Sequence, residues 1–384
     1  MARGTRVLLL AILTILTIWL LLTARNFVPS PQHQALAPAN ATLGFGTILA
    51  VSRPHSRRRP GLLWAANLTD VEIVIPSQPV WSDADLDALL HESESAISKG
   101  SARAWLGHLN ALRSFLETDK VTALIIEDDV DFDISIRSHQ IPLLASSIRA
   151  LLRNASAVHT APYWGDDKDW DLLYPGHCDD ALPTEANPLL SHAHLMYTDT
   201  TVPFHSLLHP DTSNFLASMR IPESTRLVHR SFAPFCTFAY AVTRRAAERF
   251  VSEYTTAKHG ADAFDVQLLM ACRNGLQCFS VAPELFHHID GASVIASVNT
   301  GVDEGVSEFG GYEMARLGKG SWNVRCGARH RQLWIDEKDG SAREEAKSMV
   351  RGMLGRGEAE CPIDLVRAER SWKGCEWGEC GAQS

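Results

Sequence analysis

Hydrophobic positions fall into distinct textures along the chain. Val7 to Ala24 (VLLLAILTILTIWLLLTA) is an uninterrupted apolar run without charge. As a helix rising about 1.5 Å per residue it covers roughly 27 Å, which suits an ER-type bilayer. Arg3 and Arg6 precede it and Arg25 follows it. This charge bias predicts a cytosolic tail over residues 1–6, a transmembrane signal-anchor over 7–24, and a lumenal remainder in single-pass type II topology. The competing reading is a cleaved signal peptide, whose apolar region is usually shorter. Residues 25–43 mix Pro, Ala and polar residues without periodicity, the composition of a stem or linker.

From Gly44 onward, short β-branched runs alternate with helical patterns. Thr47–Ser52 and Val71–Ile75 read as strands, and Asp83–Ile97 as a helix capped by Ser82. The clearest helix is Ala102–Glu117, where Trp105, His108, Leu109, Leu112, Phe115 and Leu116 recur at spacings of three and four. Val121–Ile126 is a continuous apolar run of strand length, as expected of a central strand covered on both faces. Strands over Trp170–Tyr174 and Cys236–Val242 follow. Thr243 caps a helix carrying Ala247, Phe250, Val251 and Tyr254. Phe264–Arg273 forms another helix, ended by Asn274-Gly275, and Gln277–Ala282 returns as a strand. This alternation predicts an α/β domain over residues 44–300 with a largely parallel central sheet. Residues 301–384 read as a C-terminal extension whose one periodic stretch is Ala342–Leu354.

At 384 residues and 45% apolar content the chain can bury an enzyme-sized core, and its net charge of -9 argues against a nucleic-acid partner. Asn40-Ala-Thr42, Asn67-Leu-Thr69 and Asn154-Ala-Ser156 are glycosylation sequons, consistent with a lumenal domain. The eight cysteines, Cys178, Cys236, Cys272, Cys278, Cys326, Cys361, Cys375 and Cys380, form an even set compatible with disulfides. Sequence leaves their pairing open, and no C-x-x-C pair points to zinc.

Candidate chemistry gathers where the apolar strand ends. Glu127, Asp128, Asp129, Asp131 and Asp133 crowd together there. Ligands in open α/β sheets bind beyond the carboxyl ends of strands. Like charges this close repel, a divalent cation relieves the repulsion, and hard oxygens select Mg²⁺ or Mn²⁺. Such an ion can bridge a diphosphate and neutralise a departing nucleotide. A solvated acidic turn is the bland alternative. His108 lies on its helix's apolar stripe, where a core histidine competes with a functional one. Arg53, Arg57, Arg58 and Arg59 follow the first strand as a solvated charge run or a diphosphate clamp. His287 and His288 follow a strand as a metal or pyrophosphate contact, or as exposed loop residues.

The pattern Gly100-x7-His108-Leu109 followed by Ala123-Leu-Ile-Ile-Glu-Asp-Asp-Val-Asp131 resembles glycosyltransferase family 25, the lipooligosaccharide-biosynthesis and procollagen galactosyltransferase group. Cys236–Glu248 (CTFAYAVTRRAAE), Phe264-Asp265-Val266 and Cys278–Phe286 (CFSVAPELF) match further segments in order, and Trp170–Cys178 (WDLLYPGHC) is similar to fungal members. The resemblance covers roughly residues 45 to 300. It implies a GT-A-like, Rossmann-like nucleotide-diphospho-sugar transferase fold, a UDP-sugar donor, Mn²⁺ dependence and inversion at the anomeric carbon. Carried over by position, it implies Asp129 and Asp131 as metal ligands and Glu127, Asp128, His108, Arg53 and Arg57 as donor contacts. Asp265 becomes the catalytic base, a role that competes with that of a helix-start carboxylate. The implied enzyme is a hexosyltransferase, galactose favoured, acting on a lumenal glycan or glycoprotein in the Golgi or ER membrane. The alternatives are a catalytically inactive lumenal binding protein of the same fold and a metal-dependent diphosphate hydrolase.

Overall fold

The computed structural model describes residues 36–92, 97–152, 162–180, 193–253, 263–289, 321–330, 333–335, 338–355 and 361. The apolar run 7–24, most of the stem, Asn154, Tyr254, Cys375 and Cys380 lie outside them. Among the described residues no helix is long and apolar enough to cross a membrane.

In chain order the elements are β1 (Thr47–Val51), α1 (Arg59–Leu68), α2 (Asp83–Glu92), α3 (Lys99–Leu116), β2 (Thr122–Glu127), β3 (Val130–Phe132), α4 (Ile141–Leu152), β4 (Leu172–Gly176), β5 (Asp179–Asp180) and β6 (His194–Thr198). They continue with α5 (Pro210–Ser218), β7 (Thr225–Arg230), β8 (Pro234–Phe235), β9 (Ala239–Thr243), α6 (Arg244–Ser252), α7 (Phe264–Arg273), β10 (Cys278–Ala282), β11 (Phe286–His288) and α8 (Gly340–Gly355).

A seven-stranded sheet runs β1-β2-β9-β4-β10-β7-β6. β1, β2, β4, β10 and β6 share one direction while β9 and β7 oppose it. The expected parallel character therefore holds for strand direction. The pairing is mixed, because β9 wedges between β2 and β4 and leaves only β1–β2 and β4–β10 as parallel neighbours.

Period-two alternation divides the strands between two cores. Leu124 and Ile126 of β2, with Ala239 and Ala241 of β9, pack with α1 (Leu62, Trp64) and α4 (Leu144, Ile148). Ala123 and Ile125, with Tyr240 and Val242, pack on the other face with Leu109, Leu112 and Phe115 of α3, Phe250 of α6 and Leu268 of α7. Burial on both faces is why β2 reads as unbroken apolar sequence.

Local signals set several boundaries. Ser98 caps α3, and Thr243 Oγ1 accepts the Ala246 N–H at the start of α6. Ser82 and Asp85 form a reciprocal cap on α2, with Ser82 N–H donating to Asp85 Oδ2 at 2.7 Å. Val71–Ile75 is not a full strand. Only Val74 bridges β1, through hydrogen bonds to Ala50 N–H and Ile48 O, and Pro76 then ends the run. The strand expected from Cys236 begins at Ala239, because Cys236 takes a left-handed φ of 70° and joins Cys178 in a disulfide. Two further disulfides are Cys272–Cys278 and Cys326–Cys361.

A domain boundary at residue 300 cuts through real contacts. Residues 321–330 fold back on β3, with Ala328 N–H donating to Phe132 O at 2.8 Å and Ile134 N–H to Cys326 O at 2.9 Å. Helix α8 returns to α1, where the Arg343 guanidinium lies 4.4 Å from the Trp64 ring centroid and Arg351 pairs with Asp70.

Candidate functional site

Parallel pairing of β1 and β2, with Val51 opposite Glu127, sets the turn after β1 beside the acidic triplet. Ser52 Oγ donates to Asp128 Oδ2 at 2.5 Å, and Arg59 holds Ser52 through Nε to its Oγ (2.8 Å) and Nη2 to its carbonyl (2.9 Å). Asp128 is thus a tie to β1, with only 11% of its side chain exposed. α1 begins here with proline in its first turn, where a missing N–H is harmless. That start buries Arg58 and leaves Arg53 and Arg57 exposed. Arg58 Nη1 donates to Asp129 Oδ2 at 2.9 Å and lies 3.9 Å from Asp128 Oδ1. Of the four arginines after β1, Arg58 is the one that pairs with the triplet's carboxylates, while Arg53 and Arg57, expected as donor contacts, are exposed. Asp129 Oδ1 is buried and has no hydrogen-bond partner among the described residues. Burial, then the charge of Glu127, raises the Asp129 carboxyl to about 6, even though Arg58 opposes the shift.

Glu127 faces a second group. Its N–H donates to Phe238 O at 2.9 Å, which brings in the loop before β9, and its Oε1 accepts from Thr237 Oγ1 at 2.8 Å. His108 Nε2 lies 3.5 Å from the same oxygen. Burial pushes the Glu127 carboxyl up, but His108, Thr237 and Arg58 outweigh it and hold it below the usual range. His108 is 2% exposed, stacks on Phe264 at 4.5 Å between centroids, and places Nδ1 3.2 Å from the Tyr240 hydroxyl. It is a buried partner of Glu127, so the core and functional readings of this histidine merge. Asp265, in the first turn of α7, is half-buried and its Oδ1 accepts the Val266 N–H at 2.9 Å. Its carboxyl is pushed up by burial and by the charge of Glu127, with His108 pulling the other way. Asp265, Glu127 and His108 therefore share one electrostatic neighbourhood.

On the other side of the triplet in the chain, β3 pairs antiparallel with β11, which sets His287 opposite Asp131 and His288 opposite Val130. Ile289 N–H donates to Asp129 O at 2.7 Å. His288 is near enough that its charge pulls the Asp129 carboxyl down.

Asp131 needs correction as a metal ligand. It is fully buried, Oδ1 accepts the N–H groups of Phe132 (2.8 Å) and Arg329 (2.9 Å), and Oδ2 accepts from Ser321 Oγ (3.1 Å). Its oxygens hold the returning 321–330 segment. A Cβ at Gly327 would sit 2.2 Å from Asp131 Oδ2, so this close approach requires glycine.

Arg329 was not legible in the sequence. It is 2% exposed and donates from Nη1 to Asp128 O (2.8 Å) and Val130 O (2.9 Å), and from Nη2 to Arg58 O (3.1 Å). One guanidinium thus joins the backbone of the acidic turn to that of Arg58. The only local hint is an arginine near Gly327 and Cys326, far along the chain from the triplet.

The donor set fits a hard divalent cation at one point, the unpartnered Asp129 Oδ1. Among the described residues no group of three or more His, Cys, Asp or Glu is gathered as metal ligands. Mg²⁺ and Mn²⁺ serving a phosphate substrate typically take only one or two carboxylates, the rest being water and phosphate oxygens. The interior cavity lined by Phe45, Leu144, Trp164 and Val228 is apolar and separate from this cluster. In comparisons with known proteins, no family model and no curated protein matches the chain.

Proposed function

We propose that this chain is a metal-dependent inverting glycosyltransferase of GT-A-like fold that moves a hexose, galactose favoured, from a UDP-sugar to a lumenal glycan or glycoprotein. The observation that carries this reading is a buried strand delivering Asp129 with one orphaned carboxylate oxygen, beside Arg58 and within the field of His288. The ordered motif resemblance to family 25 supports the same reading. Asp129 would hold Mn²⁺ or Mg²⁺, which when bound neutralises charge on the diphosphate leaving group.

Arg58, 2.9 Å from Asp129, supplies a guanidinium fork suited to phosphate oxygens. Glu127, kept ionised by His108 and Thr237, is an acceptor for a donor hydroxyl. Asp265, whose raised pKa makes it a stronger base than an ordinary carboxylate, takes the proton of the attacking acceptor hydroxyl. Residues 7–24 anchor the chain in the Golgi or ER membrane, and the three disulfides among the described residues suit an oxidising lumen.

The test is turnover of a UDP-sugar panel by the purified full-length chain with mixed glycan acceptors, in Mn²⁺ or in EDTA, with products weighed by mass spectrometry. Metal-dependent addition of one hexose to an acceptor is the expected result. Hydrolysis to free sugar alone would assign the chain to the diphosphate hydrolases. UDP binding uncoupled from Mn²⁺, with no product, would assign it to inactive binding proteins.

A further inference from the structure

Two of the three sequons fall among the described residues, and the fold presents them differently. Asn40-Ala41-Thr42 opens a turn just before β1. That turn is fixed by partners far along the chain. Ala39 N–H donates to Arg137 O (2.9 Å), Glu72 N–H to Ala41 O (2.8 Å) and Trp164 Nε1 to Leu43 O (3.0 Å), and Leu43 belongs to the core. Within the turn the Asn40 side chain acts through its oxygen. Oδ1 accepts the Gly44 N–H at 2.7 Å and lies 3.2 Å from the Thr42 hydroxyl. Asn40 is exposed, and its Nδ2 donates to none of the described residues.

The atom that closes the turn and the atom that carries a sugar in N-glycosylation are therefore different ones. A substituent on Nδ2 leaves the amide carbonyl in place as an acceptor, so the bond to Gly44 survives and the added group extends into solvent. Asn67-Leu68-Thr69 is built otherwise. Asn67 is exposed near the end of α1, but Thr69 is 4% exposed and its hydroxyl donates to Ala65 O at 2.8 Å. A sequon is read through its hydroxyl residue as well as its asparagine, and formation of α1 withdraws that hydroxyl into the helix's own backbone.

We infer that Asn40 carries an N-linked glycan and is the more fully occupied of the two sites, an inference that rests on the lumenal placement in the proposed function. The co-reactant is an oligosaccharide linked to a lipid pyrophosphate. Asn40 Nδ2 forms a bond to the anomeric carbon of the first sugar, and the bond from that carbon to the pyrophosphate oxygen breaks. The lipid pyrophosphate leaves with the electron pair, and Nδ2 gives up one proton. The glycan then stands where the stem joins the domain.

The test expresses the full-length chain in a eukaryotic host. It reads the electrophoretic shift on enzymatic removal of N-glycans, the site by the asparagine-to-aspartate conversion that removal leaves, and protection of the domain from protease in sealed microsomes. The expected result is a protected domain, conversion at Asn40 in most molecules, and less conversion at Asn67. Asn40→Gln and Ala41→Pro should each lose the shift of one glycan, while Thr42→Ser should keep it. Ala41→Pro leaves both the Asn40 and Thr42 side chains in place, and the Ala41 N–H it removes donates to none of the described residues. Occupancy in the wild type decides the matter even where a variant fails to fold. A protected chain whose Asn40 is bare, or is modified no more than Asn67, overturns the inference and leaves the lumenal placement standing. A domain digested in intact microsomes and free of glycan overturns the placement, and the inference with it.

Discussion

Asp129→Asn tests the acidic cluster through stability and metal response at once. The Asp129 carboxyl stands near 6 against an ordinary 3.8, raised first by burial, then by Glu127 and Asp128, with Arg58 and His288 opposing. A raised folded-state pKa means that the folded chain holds a proton the unfolded chain releases. Stability from this group therefore falls as pH climbs from about 4 to about 6, and the loss is complete above that window. About two pKa units correspond to about 3 kcal/mol at neutral pH. The Arg58 pair is already included as an opposing influence, so a neutral Asn relieves most of this cost. At about 2 °C per kcal/mol for a domain of this size, the variant should melt about 6 °C higher than wild type near pH 7 in EDTA, and level with it near pH 4. Adding Mn²⁺ and UDP should stabilise the wild type by mass action and leave the variant unmoved. The assay is thermal melting across pH with and without these ligands. A variant that melts below wild type near pH 7 in EDTA would refute the electrostatic reasoning, and a wild-type Mn²⁺ response in the variant would remove Asp129 from the metal site.

Proton competition at Asp129 should weaken Mn²⁺-dependent UDP binding about tenfold per unit as pH falls below about 6, measurable by calorimetry; a flat profile would place the ion elsewhere. Arg329→Ala strips donors from the buried carbonyls of Asp128, Val130 and Arg58 and should destabilise by about 3–6 kcal/mol. Wild-type denaturation of that variant would show that the 321–330 segment does not brace the site. Replacing Cys326 and Cys361 together with Ser frees a loop with a separation of 35 residues and should cost about 4 kcal/mol in urea unfolding. Asp265→Asn should lower kcat about a hundredfold or more while leaving UDP affinity intact, since a base acts on the acceptor and does not hold the nucleotide; undiminished kcat would return Asp265 to the role of a helix-start carboxylate.

Some features of this chain are set by residues that are neighbours in sequence. The apolar stripe of α3, the Thr243 cap of α6, the span of α7 and the buried character of β2 follow from period, capping and burial within a few residues. The acidic triplet was legible for the same reason, because its carboxylates follow directly on the unbroken apolar run. Tertiary structure decided which charges meet them. Arg58 is chosen over Arg53 and Arg57 by where α1 starts, and Asp131 is withdrawn into a brace by a segment arriving from residues 321–330. Arg329 reaches Asp128 across 201 residues and Arg58 across 271. The insertion of β9 between β2 and β4 and the disulfide pairing share that character. Such contacts depend on how the chain closes on itself, and no local pattern of side chains records that closure.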